Sequence, residues 1–490
     1  MEQVIQSQVI KELFRKSSDI LVRPIKINQI GLTISIFCVD GLINSELVDE
    51  GIFQLMHSDP YIKGCKSEKE VIDYLLTGGT YDVFTKEESD YKLLIKAVLS
   101  GNVAFIFDGE QKAVVYDVKK FDKRSISEPT EEGVMKGAKD SFIEVMRTNT
   151  ALIRRRVRSE FLVVEALTSG HISKTDMSLV YISNIANIDT VNKLRDIINK
   201  IDIDNISTPA FIEEYLMDNK KSLFPQIMNT QRPDRVSANL TDGRIALVVD
   251  GIPFVYLLPC QLVMLMQSPE DYANHFFVGS ALRMLRYIAL ILTILLPAFY
   301  IAATTYQNQM LPVKLALSTQ AAKQNVPFSS ASEVLGLLLS FEILIEAGLR
   351  LPKSVGTAMS ILGGVVVGQA AVSANILSPL VVVVVSLAGI AGFIVPNQDL
   401  SSGIRVIRFL FAVMAAIGGF FGISVAFILL LTHLCSLDNY GVAYMSPFVD
   451  LEESNHKDTL LRFPIKYFTK RPQNIANNNR IKQAGGVNRQ

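Results

Sequence analysis

Over the first 286 positions, short β-branched runs alternate with stretches of mixed polarity, and long uncharged runs follow. The run 31–40 is short and β-branched, which predicts a strand. Runs 103–107 and 113–116 flank Asp108-Gly109, the signature of a hairpin. A second set lies at 161–164, 179–183, 245–249 and 253–258, with Asp250-Gly251 between the last two. The two hairpins resemble each other: Ala104-Phe-Ile-Phe-Asp-Gly109 against Ala246-Leu-Val-Val-Asp-Gly251. Ser127-Glu-Pro-Thr130 follows the first and Ser268-Pro-Glu-Asp271 the second. This predicts a tail or short helix over 1–27 and two related α/β lobes, 28–150 and 151–286. The competing reading is that Asp-Gly is simply the commonest hairpin turn.

The later part predicts an all-α multipass membrane bundle over 287–434. Residues 287–305 are 19 uncharged positions, enough to span a bilayer. Residues 354–398 are 45 uncharged positions, too many for one crossing, and they break at Ser373-Ala-Asn-Ile-Leu-Ser-Pro379. About five segments are expected, at 287–305, 333–350, 355–372, 379–396 and 408–432. Basic pairs Arg283/Arg286, Arg350/Lys353 and Arg405/Arg408 mark every second boundary, which places them on the cytoplasmic side. Four crossings satisfy that pattern, with 306–332 and 373–378 outside. A fifth leaves the carboxyl-terminal segment, 435–490, outside, although 459–490 holds seven basic residues and no acidic one. Either 439–448 brings the chain back, giving a basic cytoplasmic tail, or one segment is re-entrant. The parity stays open.

Charge sharpens the division. The 148 residues of 287–434 carry ten of the 96 charged side chains, so neither one soluble globule nor an all-membrane protein fits. The first residues lack a basic stretch followed by an apolar run, so no signal peptide is expected and the large amino-terminal region is expected in the cytoplasm. Four scattered cysteines form no CxxC pair and five histidines no HExxH, so no metal is expected. There is no GxxxxGK[ST], no GxGxxG after a strand and no nucleophile–base grouping. The chain reads as a non-enzyme without a cofactor.

A few residues stand out against this background. Arg154, Arg155 and Arg156 form the densest basic run, a candidate interaction site or the polar end of a helix joining two lobes. No aromatic residues interleave with it, so nucleic acid is not expected as a partner. Glu342, Glu346 and Arg350 are spaced four apart and share one helix face. Ionisable groups at membrane depth usually face a bundle interior or a wet cavity, so these are candidates for ion passage or gating. The alternative is that Glu346 pairs with Arg350 while a neighbouring helix holds Glu342. Gly364 and Gly368 form a GxxxG pattern that allows close helix approach. Gln369 and Asn375 are the polar exceptions nearby and suit a narrow pore or an interhelical hydrogen bond.

In their order and spacing these pieces resemble the A subunit of the GerA-type nutrient germinant receptors of endospore-forming bacteria. The resemblance runs from about residue 30 to 475 and rests on short motifs. In the soluble part they include Ser127-Glu-Pro-Thr130, Gly137-Ala-Lys-Asp-Ser-Phe-Ile-Glu144, Asn149-Thr-Ala-Leu-Ile-Arg-Arg-Arg156, Arg232-Pro-Asp234 and Ser268-Pro-Glu-Asp-Tyr272. In the membrane part they are Glu346-Ala-Gly-Leu-Arg-Leu-Pro352, Val367-Gly-Gln-Ala-Ala-Val372 and Ser378-Pro379, with Lys470-Arg-Pro472 in the tail. Ile345, Gln231 and Ser329 depart from the family's usual arginine, glutamate and proline.

The resemblance implies a multipass protein of the spore inner membrane, working with a transporter-like B subunit and a lipoprotein C subunit. It also implies homo-oligomers around an ion pathway that releases monovalent cations once the partner senses a nutrient. The leading expectation is therefore a nutrient-gated cation-conducting subunit whose 355–372 segment lines the pathway. A non-conducting scaffold that transmits a partner's movement is the second. A secondary transporter, which would favour inverted repeats, is the third.

Overall fold

The computed structural model describes residues 4–27, 30–53, 62–77, 85–119, 129, 132–134, 136–206, 208–350, 368–449, 457–476 and 479–483. The chain divides into two compact units. One contains Met1–Asp218, Ile227–Pro259 and Phe468–Gln490; the other contains Asn219–Gln226 and Cys260–Tyr467.

The first unit holds two five-stranded sheets. In the first, β1 (Ile20–Ile27), β2 (Leu32–Val39), β3 (Thr85–Glu88), β4 (Val103–Phe107) and β5 (Lys112–Tyr116) lie in the order β1-β2-β4-β5-β3, every pair antiparallel. In the second, β6 (Leu162–Ser169), β7 (Thr175–Ile182), β8 (Met228–Thr230), β9 (Ile245–Val249) and β10 (Val255–Leu258) take the order β6-β7-β9-β10-β8. One permutation appears twice, so the likeness of the two hairpins extends to the whole lobe.

Both faces of the first sheet are covered, which is why β2 reads as an unbroken apolar run instead of alternating. Phe37 and Val39 face Ile10 of the Ser7–Leu13 helix and Leu94 and Val98 of the Tyr91–Leu99 helix. Ile34, Ile36 and Cys38 face Val71, Ile72 and Leu75 of the Glu68–Leu76 helix. The period of two along a strand sorts these residues to opposite sides. Of the tail or short helix expected over 1–27, residues 4–27 show the helix, which packs into the core, and add β1.

The Asp-Gly pairs turn out to matter for their carboxylates more than for their turns. The left-handed residue of the first hairpin is Gln111 (φ 53°), whereas in the second it is Gly251 (φ 81°). Asp108 accepts from the backbone N–H and the hydroxyl of Ser7, at 2.7 and 2.6 Å, at the start of the Ser7–Leu13 helix. Asp250 accepts from the N–H of Met146 at 3.0 Å, at the start of the Met146–Arg156 helix. Neither helix has a capping side chain at its own N-cap, Gln6 or Val145. In each lobe, then, the hairpin carboxylate closes the amino end of the helix that precedes the lobe's first strand.

In the second unit, two described helices are long and apolar enough to cross a membrane, Phe276–Thr305 and Gln398–Ser436. Ser330–Arg350 and the shorter apolar Pro379–Gly392 pack with them. The Gln398–Ser436 helix differs from the single segment expected at 408–432. Gly419 sits at φ 57°, ψ −137°, and the chain folds back there. A side chain on Gly403 would run into the Leu223 carbonyl, while His433 Nε2 lies 2.9 Å from Ser222 Oγ. Thirty helical residues would separate 403 and 433 by about 45 Å, yet both reach neighbouring residues. The first arm ends where the Tyr306 hydroxyl donates to the Ala416 and Ile417 carbonyls, at 2.8 and 2.9 Å. Those are the orphan acceptors of a helix carboxyl end. Composition could not reveal the fold-back, because Ile417-Gly-Gly-Phe420 is as apolar as its surroundings.

Candidate functional site

The apolar helices of the second unit carry three constellations of buried charge. The first lies at the start of the Phe276–Thr305 helix. Asp271, fully buried, accepts from Arg286 at 2.6 and 2.8 Å and from Arg283 Nε at 3.1 Å. Arg283 also donates to Asp458 Oδ1 at 2.7 Å, and the Tyr272 hydroxyl donates to Asp458 Oδ2 at 2.6 Å. The Tyr272 ring lies 5.8 Å from the Arg283 guanidinium and 5.2 Å from that of Arg462. Arg462 in turn donates to the carbonyls of Asp271 and Asn274. Such a network is what makes fully buried arginines tolerable in an apolar bundle, and it fastens residues 458–462 to the first helix. Sequence reasoning used Arg283 and Arg286 as orientation marks and missed Asp271, Asp458 and Arg462. The one signal was for Asp271, which stands in Ser268-Pro-Glu-Asp-Tyr272, a motif behind the resemblance.

The second constellation centres on Glu342. Its carboxylate accepts from Arg408 at 2.7 Å and from Arg405 at 3.1 Å, joining the Ser330–Arg350 helix to the first arm of the Gln398–Ser436 helix. Arg408 is 1% exposed. One carboxylate facing two guanidinium groups leaves a surplus positive charge, and the Nε atoms of both arginines are buried without a hydrogen-bond partner. Glu346 accepts instead from Arg350, its own-helix neighbour, at 2.7 Å, and both side chains are exposed. Of the two readings of this face, the structure shows the second: Glu346 pairs with Arg350, and a neighbouring helix holds Glu342.

The third lies at the other end of the Ser330–Arg350 helix. Glu333 accepts from the Ser378 N–H at 2.7 Å and lies 3.4 Å from Lys323 Nζ.

The remaining candidates are dispersed. Gln369 and Asn375 are exposed, and Asn375 has φ 55°. Gly368 opens the Gly368–Ser373 helix, and a methyl group placed there would meet Val382 at 3.7 Å, an ordinary contact. Gly364 lies outside the described residues. Arg154 is fully buried and forms a bidentate pair with Asp19, at 2.9 and 2.8 Å, while its third nitrogen donates to the Leu162 carbonyl. It ties the entry of the first lobe to β6 and is not free to meet a ligand. Arg156 pairs with Asp140, and Arg155 is exposed.

Arg232 of the Arg-Pro-Asp motif is also structural. It bonds Asp234 at 2.8 Å and the carbonyls of Glu132 and Ala138, holding the connection between the lobes.

Fold and charge network together define a class: a duplicated α/β region joined to an apolar helical bundle that contains its own ion pairs. Residues 8–474 match the family described as Bacillus/Clostridium GerA spore germination protein. Spore germination protein KA of Bacillus subtilis (strain 168) is 35% identical over 468 residues, covering 95% of this chain and 85% of that one. Spore germination protein A1 of the same organism is 38% identical over 391 residues, 80% of each chain. The uncharacterized membrane protein YfkQ, also from B. subtilis, is 36% identical over 469 residues, 95% and 90% respectively. A crystal structure of the N-terminal domain of the A subunit of the Bacillus megaterium spore germinant receptor GerK3 is 28% identical, with a TM-score of 0.41. It covers 52% of this chain and 94% of that one. The chain belongs to the GerA family of spore germination proteins.

Proposed function

We propose that the chain is the A subunit of a nutrient-responsive germination receptor, and that it forms an oligomeric cation pathway in the spore inner membrane. Transporter-like B and lipoprotein C subunits would be its partners. The observation that carries this reading is the family match over residues 8–474, together with curated relatives named as spore germination proteins.

The bundle supports six crossings. Call the end bearing Asp271 and Asp458 near, and the end bearing Tyr306 and Gly419 far. Phe276–Thr305 runs near to far. Ser330–Arg350 returns, since Glu333 meets Ser378 beside Tyr300, and Glu342 meets Arg405 and Arg408. Pro379–Gly392 also runs far to near, from Ser378 to Gly392 against Thr293. The two arms about Gly419 go out and back. The sixth crossing of this reading is the segment expected at 355–372, between Arg350 and Ser378. Six crossings put the basic tail and the α/β lobes on one side, the cytoplasm, which removes the parity conflict created by counting 408–432 as one span.

In this reading 355–372 lines the pathway, with Gly364, Gly368, Gln369 and Asn375 along or beside it. A small-residue helix repeated around an axis makes a narrow apolar pore that can close by dewetting. Glu342 and Glu346 act on gating, Glu342 through Arg405 and Arg408. One observation favours the scaffold alternative: Glu342 is occupied by arginines of a neighbouring helix and presents no free charge to an ion.

The test is cation flux from liposomes holding the chain with its B and C partners, stimulated by nutrient. Wild type is compared with Gly368→Leu and Glu342→Gln. Flux altered by both substitutions supports conduction. Unchanged flux in both, with oligomers intact, refutes 355–372 as the pathway and leaves the scaffold.

A further inference from the structure

The third charge constellation is unlike the other two, because its carboxylate keeps an oxygen free of any hydrogen bond. Glu333 is 1% exposed and sits in the first turn of Ser330–Arg350. Its Oε2 takes the backbone N–H of Ser378, the N-cap of Pro379–Gly392. Two helix amino ends therefore point at this carboxylate. Its Oε1 has no hydrogen-bond partner, and neither has Ser378 Oγ or the Tyr300 hydroxyl. Ser378 is 1% and Tyr300 7% exposed. The Tyr300 hydroxyl lies within hydrogen-bonding reach of Ser378 and faces the Glu333 charge. Three buried oxygens thus converge beside one negative charge.

The counter-ion is the ammonium of Lys323, 3.4 Å from Oε1 and bonded also to Ser330 Oγ. Lys323 is the last residue of the Val313–Lys323 helix, most of which is exposed, and its side chain is 22% exposed. It can leave without unpacking the bundle. We propose that Glu333, Ser378 and Tyr300 form a monovalent-cation site that the Lys323 ammonium occupies as a tethered competitor. Carboxylate, hydroxyl and phenol oxygens replace part of a hard cation's hydration shell. One carboxylate balances one positive charge, so a singly charged ion fits where a divalent one would leave surplus charge in an apolar setting. That the site lies at the far mouth of an ion pathway rests on the conduction reading; the binding does not.

The test is thermal unfolding of the full chain in detergent, in potassium, sodium or choline chloride at equal ionic strength. Lys323→Gln vacates the ammonium position. Its Tm should rise by about 3 °C in potassium or sodium relative to choline, because a ligand that binds only the folded state stabilises it. The Lys323→Gln/Glu333→Gln pair should show no such difference. Equal Tm values for Lys323→Gln in all three salts overturn the proposal and leave a bridging water as the occupant.

A second measurement uses the unaltered chain and does not depend on a variant folding. Amine labelling of Lys323, read by mass spectrometry, should rise at least twofold in potassium over choline; equal labelling again overturns the site. Cation-dependent shifts in a chain that leaves liposomes tight would keep the site and discard conduction. Flux without any shift would do the reverse.

Discussion

The proposed count of six crossings rests on the fold-back at Gly419, and a single distance tests it. Spin labels on Ser402→Cys and on native Cys435 would sit 33 residues apart along the chain, both at exposed positions, with Cys38, Cys65 and Cys260 replaced. A continuous helix rises 1.5 Å per residue, so the labels would be about 50 Å apart. With the arms reversed, both lie beside residues 222–223, and two packed helices plus label arms give a separation under roughly 25 Å. Pulsed electron resonance resolves that difference easily. A distribution centred near 50 Å would refute the reversal, and with it the proposed six crossings. The energetics give a second readout. A side chain at Gly419 pays about 1–2 kcal/mol for its left-handed backbone. It also meets Gln307 Oε1 at 2.8 Å and the Tyr306 Cβ at 3.0 Å. Gly419→Val should therefore lower Tm and broaden the distance distribution. Tyr306→Phe, which loses the two carbonyl bonds, should cost about 1 kcal/mol while keeping the short distance.

Other consequences concern the α/β region. Asp19→Asn leaves the fully buried Arg154 without its counter-charge and should cost about 3–5 kcal/mol, read as earlier urea unfolding of the full chain in detergent; a change below about 1 kcal/mol would mean the pair is not buried. Asp108→Ala and Asp250→Ala each remove a helix cap and should cost about 0.5–2 kcal/mol, with hydrogen exchange rising first in Ser7–Leu13 and Met146–Arg156 respectively. Cys38 should resist alkylation until the lobe unfolds, because burial, with Asp40 nearby, pushes its thiol from 9.0 up to about 12. Burial and Glu165 likewise push the Tyr181 hydroxyl up to about 12. Both values are raised on folding, so the stability they confer is complete below pH 9 and falls as pH climbs from 9 towards 12. A urea midpoint flat across that window would contradict their burial.

What the sequence conveyed follows from where the physics is local. The lobes were legible because β2, β4 and β9 are buried on both faces and so read as continuous apolar runs. Strands β3 and β8 were not, since Thr-Lys-Glu-Glu and Met-Asn-Thr are short edge strands with little apolar character. The role of Asp108 and Asp250 was hidden for a different reason: the helices they cap lie about a hundred residues away, and a turn signature offered a sufficient local account. The charged residues of the bundle show the same limit. Their rarity between 287 and 434 marked Glu342 and Glu346 as unusual, and a neighbouring helix was one expected partner for Glu342, but spacing could not say which residues on it. Arg405 and Arg408 stand in the sequence 63 and 66 residues further on. Glu333 escaped notice because it belongs to the first turn of its helix, where an acidic residue is ordinary. Only the meeting of Lys323, Ser378 and Tyr300 around it turns an ordinary helix-start carboxylate into a place where a cation could compete.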